Sequence, residues 1–387
     1  AHIGVFYPLS SNGTGAASYT NYFSYHIFSG LSRSERRVAF AGIGTIIKDS
    51  LTGLQASGIF NYAGKSARGA QVAGILNTTG AIRGFQGAGI ANIVQGNSFG
   101  FQGAGITNIV RGNSFGFQGA GITNVVRGNS RGVQVAGVLN LSGRDTLFET
   151  GSMEKSSDNI TQIGGLINAS ARAVTQIGGL LNVSSKSAVQ ISGFMNKSDS
   201  VTTQITGFLN IARRVKGVQV SGFINIADSS DYPIGVINLV KKGEKSLGIT
   251  TDENQTTVLA FRSGGRVLYG ILGLGYNLKS KQELYALEWG LGAHLRVNGR
   301  FRLHPEIAFT ALSDFKEGKY YKSSLRALAA WKVLGNMEVF AGPTFNAIKY
   351  TKGKGEDLNE HYLWSRQRND WFRGLTFGLM GGVQFRL

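Results

Sequence analysis

Gln102-Gly-Ala-Gly-Ile-Thr-Asn108 and, sixteen residues later, Gln118-Gly-Ala-Gly-Ile-Thr-Asn124 are two copies of one phrase. Between residues 54 and 238 it recurs twelve times as Gln-x-x-Gly-x-x-Asn, the last copy carrying Tyr232 in place of Gln. Gln and Asn lie six apart, so on a β-strand they project from the same face. Around Gln162 one face reads Gln162, Gly164, Leu166 and Asn168, and the other reads Ile163, Gly165, Ile167 and Ala169. The repeat unit is therefore expected to be a single strand with one polar-ended face and one apolar face.

Composition narrows the class. The 387 residues include 56 Gly, only 4 Pro and no Cys, which removes disulfides, thiolate metal sites and Cys nucleophiles together. A repeat spanning half the chain argues for one continuous architecture rather than several domains. No 18-residue apolar run exists to make a transmembrane helix, but β-barrel strands are short and half apolar. The opening Ala1-His2-Ile3 reads as a mature form or an excised segment. The formal charge of +18 comes from Arg and Lys at strand ends, such as Arg111, Arg127, Arg131, Arg213, Arg214, Lys216, Lys241 and Lys242. No basic run is interleaved with aromatics on one element, so nucleic acid is not the expected partner. Basic loops at an anionic membrane surface fit better.

Residues 1–48 read as three longer strands, His2–Leu9, Asn21–Gly30 and Val38–Lys48. From 54 to 240 each repeat supplies nine or ten strand residues and a turn. Beyond 245 the strands are larger and more aromatic: Val267–Asn277, Leu284–Val297, Phe301–Leu312, Ser323–Val333, Met337–Tyr350 and Phe372–Leu387. Asn298-Gly299 marks a tight hairpin. With Lys245–Arg262 as one strand, the chain is expected to form a single all-β, antiparallel transmembrane barrel of about 22 strands over 1–387. In this reading 54–240 is the repeat section and 245–387 the larger-strand section. The long connections 10–20, 142–160, 278–283, 313–322 and 351–371 then fall outside and the short turns fall inside, as in outer-membrane barrels. Splitting Lys245–Arg262 and hiding a strand in 143–158 would give 24, disfavoured by charge on both faces there (Arg144, Asp145, Glu149, Glu154, Lys155, Asp158). The rival architecture is a β-solenoid over 50–240 with stacked Gln and Asn ladders, followed by a C-terminal barrel of about eight strands.

The repeats at 132–140 and 217–225, the stretches 231–240 and 261–277, and the opening Tyr7-Pro-Leu-Ser-Ser-Asn-Gly13 resemble a Bacteroidota outer-membrane β-barrel family with Gly/Gln/Asn surface repeats. In that family the barrel often follows a secretin/TonB short N-terminal domain and a carboxypeptidase-regulatory-like domain. Neither is present in this sequence. The resemblance implies outer-membrane localisation in a Gram-negative bacterium, with TonB or regulatory proteins as envelope partners, and it supplies no catalytic residues.

The candidate sites are structural. Gln102, Asn108, Gln118, Asn124, Gln162, Asn168, Gln176 and Asn182 are expected to face the barrel lumen, with Phe101, Ile109, Phe117 and Val125 facing lipid. Loop residues Tyr362, Trp364, Arg366 and Arg368 suit an extracellular recognition surface, although an aromatic interfacial girdle explains the Trp equally well. Gly-x-Ser-x-Gly occurs at 96–100, 112–116 and 128–132, but an elbow nucleophile needs a strand-to-helix turn, and three copies of one repeat turn are turns. His294 and His304 are placed to approach each other across the Asn298-Gly299 hairpin, and a satisfied wall pair is expected rather than a metal site. No cofactor and no enzymatic activity are expected. The walls carry little charge, so a broad ion-conducting pore is not expected. The functional expectation is transport or reception across the outer membrane, with a scaffold subunit anchoring a larger envelope complex as the alternative.

Overall fold

The computed structural model describes residues 1–143, 159–280, 284–315, 320–351, 358, 361–368 and 370–387. It divides into two compact units, Ala1–Asp199 and Ser200–Leu387.

The first unit is a β-solenoid, and its strands pair in parallel. Ser98–Ala104 lies in register on Ile82–Ala88 below and Ser114–Ala120 above, with Gln86, Gln102 and Gln118 aligned. Ala91–Val94, Thr107–Val110 and Thr123–Val126 stack likewise, aligning Asn92, Asn108 and Asn124. The repeat is thus two short strands per coil, joined at a Gly-x bend, rather than one long strand. That bend breaks the expected alternation: Gln162 and Asn168 are buried, while Leu166 between them projects outward. The coils begin earlier than the solenoid alternative placed them. His2 pairs with Ser24, Tyr25 with Phe40 and Ala39 with Gln55, all in parallel. The antiparallel barrel of about 22 strands is overturned by these ladders, and with it the single-barrel reading of 1–387.

Two features of the repeat explain this choice. The first is glycine at the bend. A Cβ on Gly105 would sit 2.0 Å from the carbonyl oxygen of Gly89 in the coil below, and one on Gly121 would sit 2.1 Å from that of Gly105. Only glycine lets successive bends approach so closely. The second is the buried amide. Gln102 Nε2 donates to Gln86 Oε1 at 2.9 Å, and Gln118 Nε2 donates to Gln102 Oε1 at 2.8 Å. The Asn column runs the opposite way: Asn92 Nδ2 donates to Asn108 Oδ1, and Asn108 Nδ2 to Asn124 Oδ1, each at 2.9 Å. The second Nδ2 hydrogen of Asn108 goes to the Gly119 carbonyl at 2.8 Å. These buried amides pair with their counterparts in neighbouring coils, which removes a desolvation cost of about 1–3 kcal/mol per orphaned group.

In the second unit the same repeat continues, with Asn210 donating to Asn225 at 3.0 Å and Asn225 to Asn238 at 2.8 Å. It is followed by a closed barrel of eight antiparallel strands. These are β1 (Lys245–Asp252), β2 (Thr256–Gly264), β3 (Leu268–Asn277), β4 (Tyr285–Ala293), β5 (Phe301–Ser313), β6 (Tyr320–Lys332), β7 (Met337–Thr351) and β8 (Trp371–Arg386). Sequential pairing is completed by β8 on β1, with Leu247 opposite Phe385 and Ile249 opposite Val383. The expected single strand Lys245–Arg262 is two strands, because Asp252 Oδ1 accepts from the backbone N–H groups of Asn254 and Thr256 and folds the chain back. That split makes the count eight, as in the alternative reading.

Close packing of bends predicts a contrast between two glycines. Gly105→Ala should destabilise the protein by about 1–3 kcal/mol, the usual range for overpacking. Gly335→Ala, where a Cβ meets nothing within 4 Å, should be nearly neutral. Denaturant unfolding of both variants checks this.

Candidate functional site

The barrel strands alternate with charge inward and apolar residues outward. On β6, Lys322, Ser324, Arg326, Leu328 and Ala330 are buried inside, while Tyr321, Leu325 and Trp331 are exposed. On β8, Met380 and Gln384 point in, whereas Phe377 and Leu379 are each 69% exposed.

Three tiers of ions fill the barrel. In the middle, Arg326 Nη2 donates to Glu288 Oε2 at 2.6 Å and Arg326 Nη1 lies 3.4 Å from Glu306 Oε2. Glu306 Oε1 also accepts from Arg262 Nε at 3.0 Å and from the Tyr269 hydroxyl at 2.8 Å. Thr310 Oγ1 donates to Glu288 at 3.2 Å. The guanidinium of Arg262 lies 5.1 Å from the centre of the Phe340 ring, and its two Nη atoms find no acceptor among the described residues. Toward one end, Lys322 pairs with Asp252 and lies 3.7 Å from Glu253. Toward the other, Arg302 Nη1 reaches Glu244 at 2.6 Å, and Glu338 is held by Arg386 and by Gln384 Nε2 at 2.8 Å. Opposite charges are matched at every level, as buried ions require.

Outside the wall, a groove of about 550 Å³ runs across the strands. Its row of small or proline residues is Ala293, Pro305, Ala327 and Pro343, with Glu306 and Arg326 also lining it. The strand pairing lapses at the same level. The β6–β7 ladder skips from Arg326–Thr344 to Ala329–Ala341, and prolines have no N–H to offer.

The expected site residues fall in different places. Gln102, Asn108, Gln118, Asn124, Gln162, Asn168, Gln176 and Asn182 share the buried face, but what they line is the solenoid interior, not a barrel lumen. Phe101 and Phe117 stack with ring centres 4.9 Å apart on one outer flank, and Ile109 and Val125, both partly exposed, belong to the other strand of the coil. His294 Nδ1 and His304 Nε2 do meet, at 3.3 Å, and no metal-binding group occurs among the described residues. The charges at 144–158, and positions 352–357, 359, 360 and 369 of the loop 351–371, lie outside the described residues. Of the recognition candidates, Trp364, Arg366 and Arg368 sit on a short exposed strand, Trp364–Arg368, paired with β8, and Tyr362 packs on Phe372. Sparse charge is expected of the repeat walls; the strands beyond 245 differ, with buried ions on their inward faces. The ions at 262, 288, 306, 326 and 338 each stand without an opposite charge beside them in the sequence, so local sequence does not pair them. The readable signal was their phase: Arg326 in Ser324-Leu-Arg-Ala-Leu328 falls on the face opposite Leu325 and Ala327.

A second titratable cluster closes the first coils. Ser24 and Asn21 donate to Glu35 Oε1 at 2.6 and 3.2 Å, and His26 Nε2 lies 3.4 Å from His2 Nε2. Burial raises the Glu35 pKa. Burial, then the neighbouring His2, lowers that of His26 to about 4, and burial also lowers that of His2.

Comparison of the chain with protein-family models, curated proteins and solved structures finds no match.

Two measurements probe these clusters. Glu288→Leu alone strands Arg326 beside a single shared carboxylate and should cost about 3–5 kcal/mol. Glu288→Leu with Arg326→Leu keeps the Arg262–Glu306 pair and should be less destabilised than either single variant in urea titrations. For His2 and His26 the folded pKa lies below the unfolded one, so their stability contribution is complete above 6.5. It is lost as pH falls from 6.5 toward 4. Glu35 works in the opposite sense, since its raised pKa favours the fold on the acid side. With two imidazoles against one carboxyl, hydrogen-exchange protection at residues 20–41, corrected for the intrinsic pH dependence of exchange, should fall between pH 7 and pH 5, and His26→Gln should blunt that change.

Proposed function

We propose that the eight-stranded barrel is a membrane-spanning anchor in the outer membrane of a Gram-negative bacterium, and that the chain is a structural subunit presenting its repeats at the envelope. The observation carrying this reading is the burial pattern: paired ions packed inside among smaller apolar clusters such as Leu328, Phe340 and Met380, with large apolar side chains such as Ile249, Leu274, Ile307, Leu325, Trp331 and Leu379 exposed outside. A water-soluble eight-stranded barrel does the reverse, filling its interior with apolar side chains or a ligand. An outward apolar band around a polar interior is what lipid selects. Closure matters too, because a barrel leaves no unpaired strand edge for hydrocarbon to meet. No helix among the described residues is long and apolar enough to cross a membrane, so any crossing falls to strands.

The filled interior separates the anchor from the transport reading. Arg262, Arg326, Lys322 and their carboxylate partners occupy the space a solute would need. Eight strands enclose room only for side chains. Coupling to TonB or to a regulatory protein rests on the family resemblance alone. The anchor reading asks no catalysis and no cofactor of the chain.

Reconstitution into phospholipid vesicles tests the proposal. The barrel strands should become resistant to added protease, and planar bilayers containing the protein should show no steady conductance. Protein that remains in the aqueous phase would defeat the anchor reading. A large ohmic conductance would restore the pore.

A further inference from the structure

The solenoid of the first unit segregates its side chains by edge, and the two edges are chemically opposite. At the Gly-x bend, each coil projects one large aliphatic residue: Ile43, Ile59, Ile75, Ile90, Ile106 and Ile122 lead a row that continues through Val138 to Leu180. These side chains are all about two-fifths exposed, Ile106 at 41%. Both faces flanking the bend are apolar as well, through Phe85, Phe101 and Ile177 on one side and Tyr62 on the other, all exposed. The far edge carries the charge. In the eight repeats from Gln55 to Gln176, the ten residues from the one before Gln to the second after Asn include no charged side chain. Charged positions such as Lys65, Arg83, Arg111 and Arg127 all fall at the opposite turn or within two residues of it. Among the described residues from 50 to 186 there are eight basic side chains and no acidic one.

We propose that this solenoid inserts its Gly-x edge into one leaflet of a lipid bilayer, with its basic edge at the level of anionic headgroups. Three observations select lipid as the occupant. The first is depth. From Phe101 to Ile106 the strand and bend cover five residues, roughly 15–20 Å at about 3.3 Å per residue, close to the ~15 Å hydrocarbon half of a ~30 Å core. The second is backbone satisfaction at the bend, where connecting segments ordinarily leave polar groups for water. Here Ile90 N donates to Ile75 O, Ile106 N to Ile90 O and Ile122 N to Ile106 O, each at 3.1 Å, and Val138 N to Ile122 O at 3.0 Å. A corner paired in this way can enter hydrocarbon without stranding an N–H. The third is charge: Asp49 on this edge is shared by Arg33 and Lys65, and every other charge among the described residues from 50 to 186 is basic, so the described edge is net positive and complements an anionic leaflet, as in amphipathic elements that lie in the interface. A second copy fits less well, because the apolar surface is convex, wrapping an edge and both flanks, and the matching edge would bring like charges with it. The inference does not require the barrel to span the membrane, since a solenoid can insert from the surface on its own.

The chain lacks cysteine, which permits single labels in the full-length protein. Ile106→Cys, Ile122→Cys and Arg111→Cys would each carry a nitroxide, with Leu379→Cys reporting the barrel wall. Vesicles of phosphatidylethanolamine and phosphatidylglycerol would receive the protein, with circular dichroism confirming that each variant folds. The expected result is high collision with oxygen and low collision with aqueous nickel chelate at 106 and 122, and the reverse at 111. Nickel access at 106 equal to that at 111 overturns the proposal. Protection at 106 from both reagents overturns it in favour of a protein cover. The label at 379 separates the two readings, since lipid contact there with water contact at 106 sinks this inference and leaves the anchor standing.

Discussion

A side-chain amide with no access to water must hand both of its N–H groups to acceptors, and a stack of identical amides does this only if every coil lies in register with the next. The solenoid depends on that condition. Gln and Asn columns donate in opposite directions along the stack, so the head-to-tail dipole of one column opposes that of the other. The Gly columns serve the same end, since a single Cβ at the bend would push neighbouring coils beyond hydrogen-bond reach. Packing, register and backbone pairing are therefore one constraint expressed at three positions of the repeat.

The barrel solves the burial problem differently. Its ions cannot form columns, because antiparallel neighbours present different residues, so each is matched by an individual partner. Glu306 serves Arg262, Arg326 and Tyr269 at once, which fixes three strands and β5 relative to one another. Removing one member therefore disturbs several strands, whereas the wall outside tolerates a lapse in pairing at Pro305 and Pro343.

Much of this was legible. Even spacing placed Gln and Asn on one buried face, and that is where they lie. Six C-terminal strands were located closely, and Asn298-Gly299 correctly brought His294 to His304. Direction of pairing was not legible from alternation, because a period of two is shared by parallel and antiparallel strands. The information lay elsewhere. A conserved spacing of 14 to 16 residues with Gly always three after Gln is what superposed bends require, and antiparallel hairpins would have needed turn residues like Asn298-Gly299 in every repeat. Loop-length parity misled because the strand count could be adjusted to satisfy it. The barrel ions were hidden for another reason: a lone Glu288 in an apolar strand has no local partner, and its mates Thr310 and Arg326 lie 22 and 38 residues away in the chain.

Gln134 and Gln162 are 28 residues apart, yet Gln162 Nε2 donates to Gln134 Oε1 at 2.9 Å, as elsewhere in the column. Asn140 meets Asn168 at the same distance across the same interval. The stack therefore measures contact between coils and ignores the length of chain that joins them, provided the extra residues leave from the charged edge. A lineage carrying such a fold can lengthen that junction, graft a new segment into it or duplicate a whole coil without renegotiating the interior. Each coil is a self-contained word, and the grammar joining one to the next places no limit on what is said in parentheses.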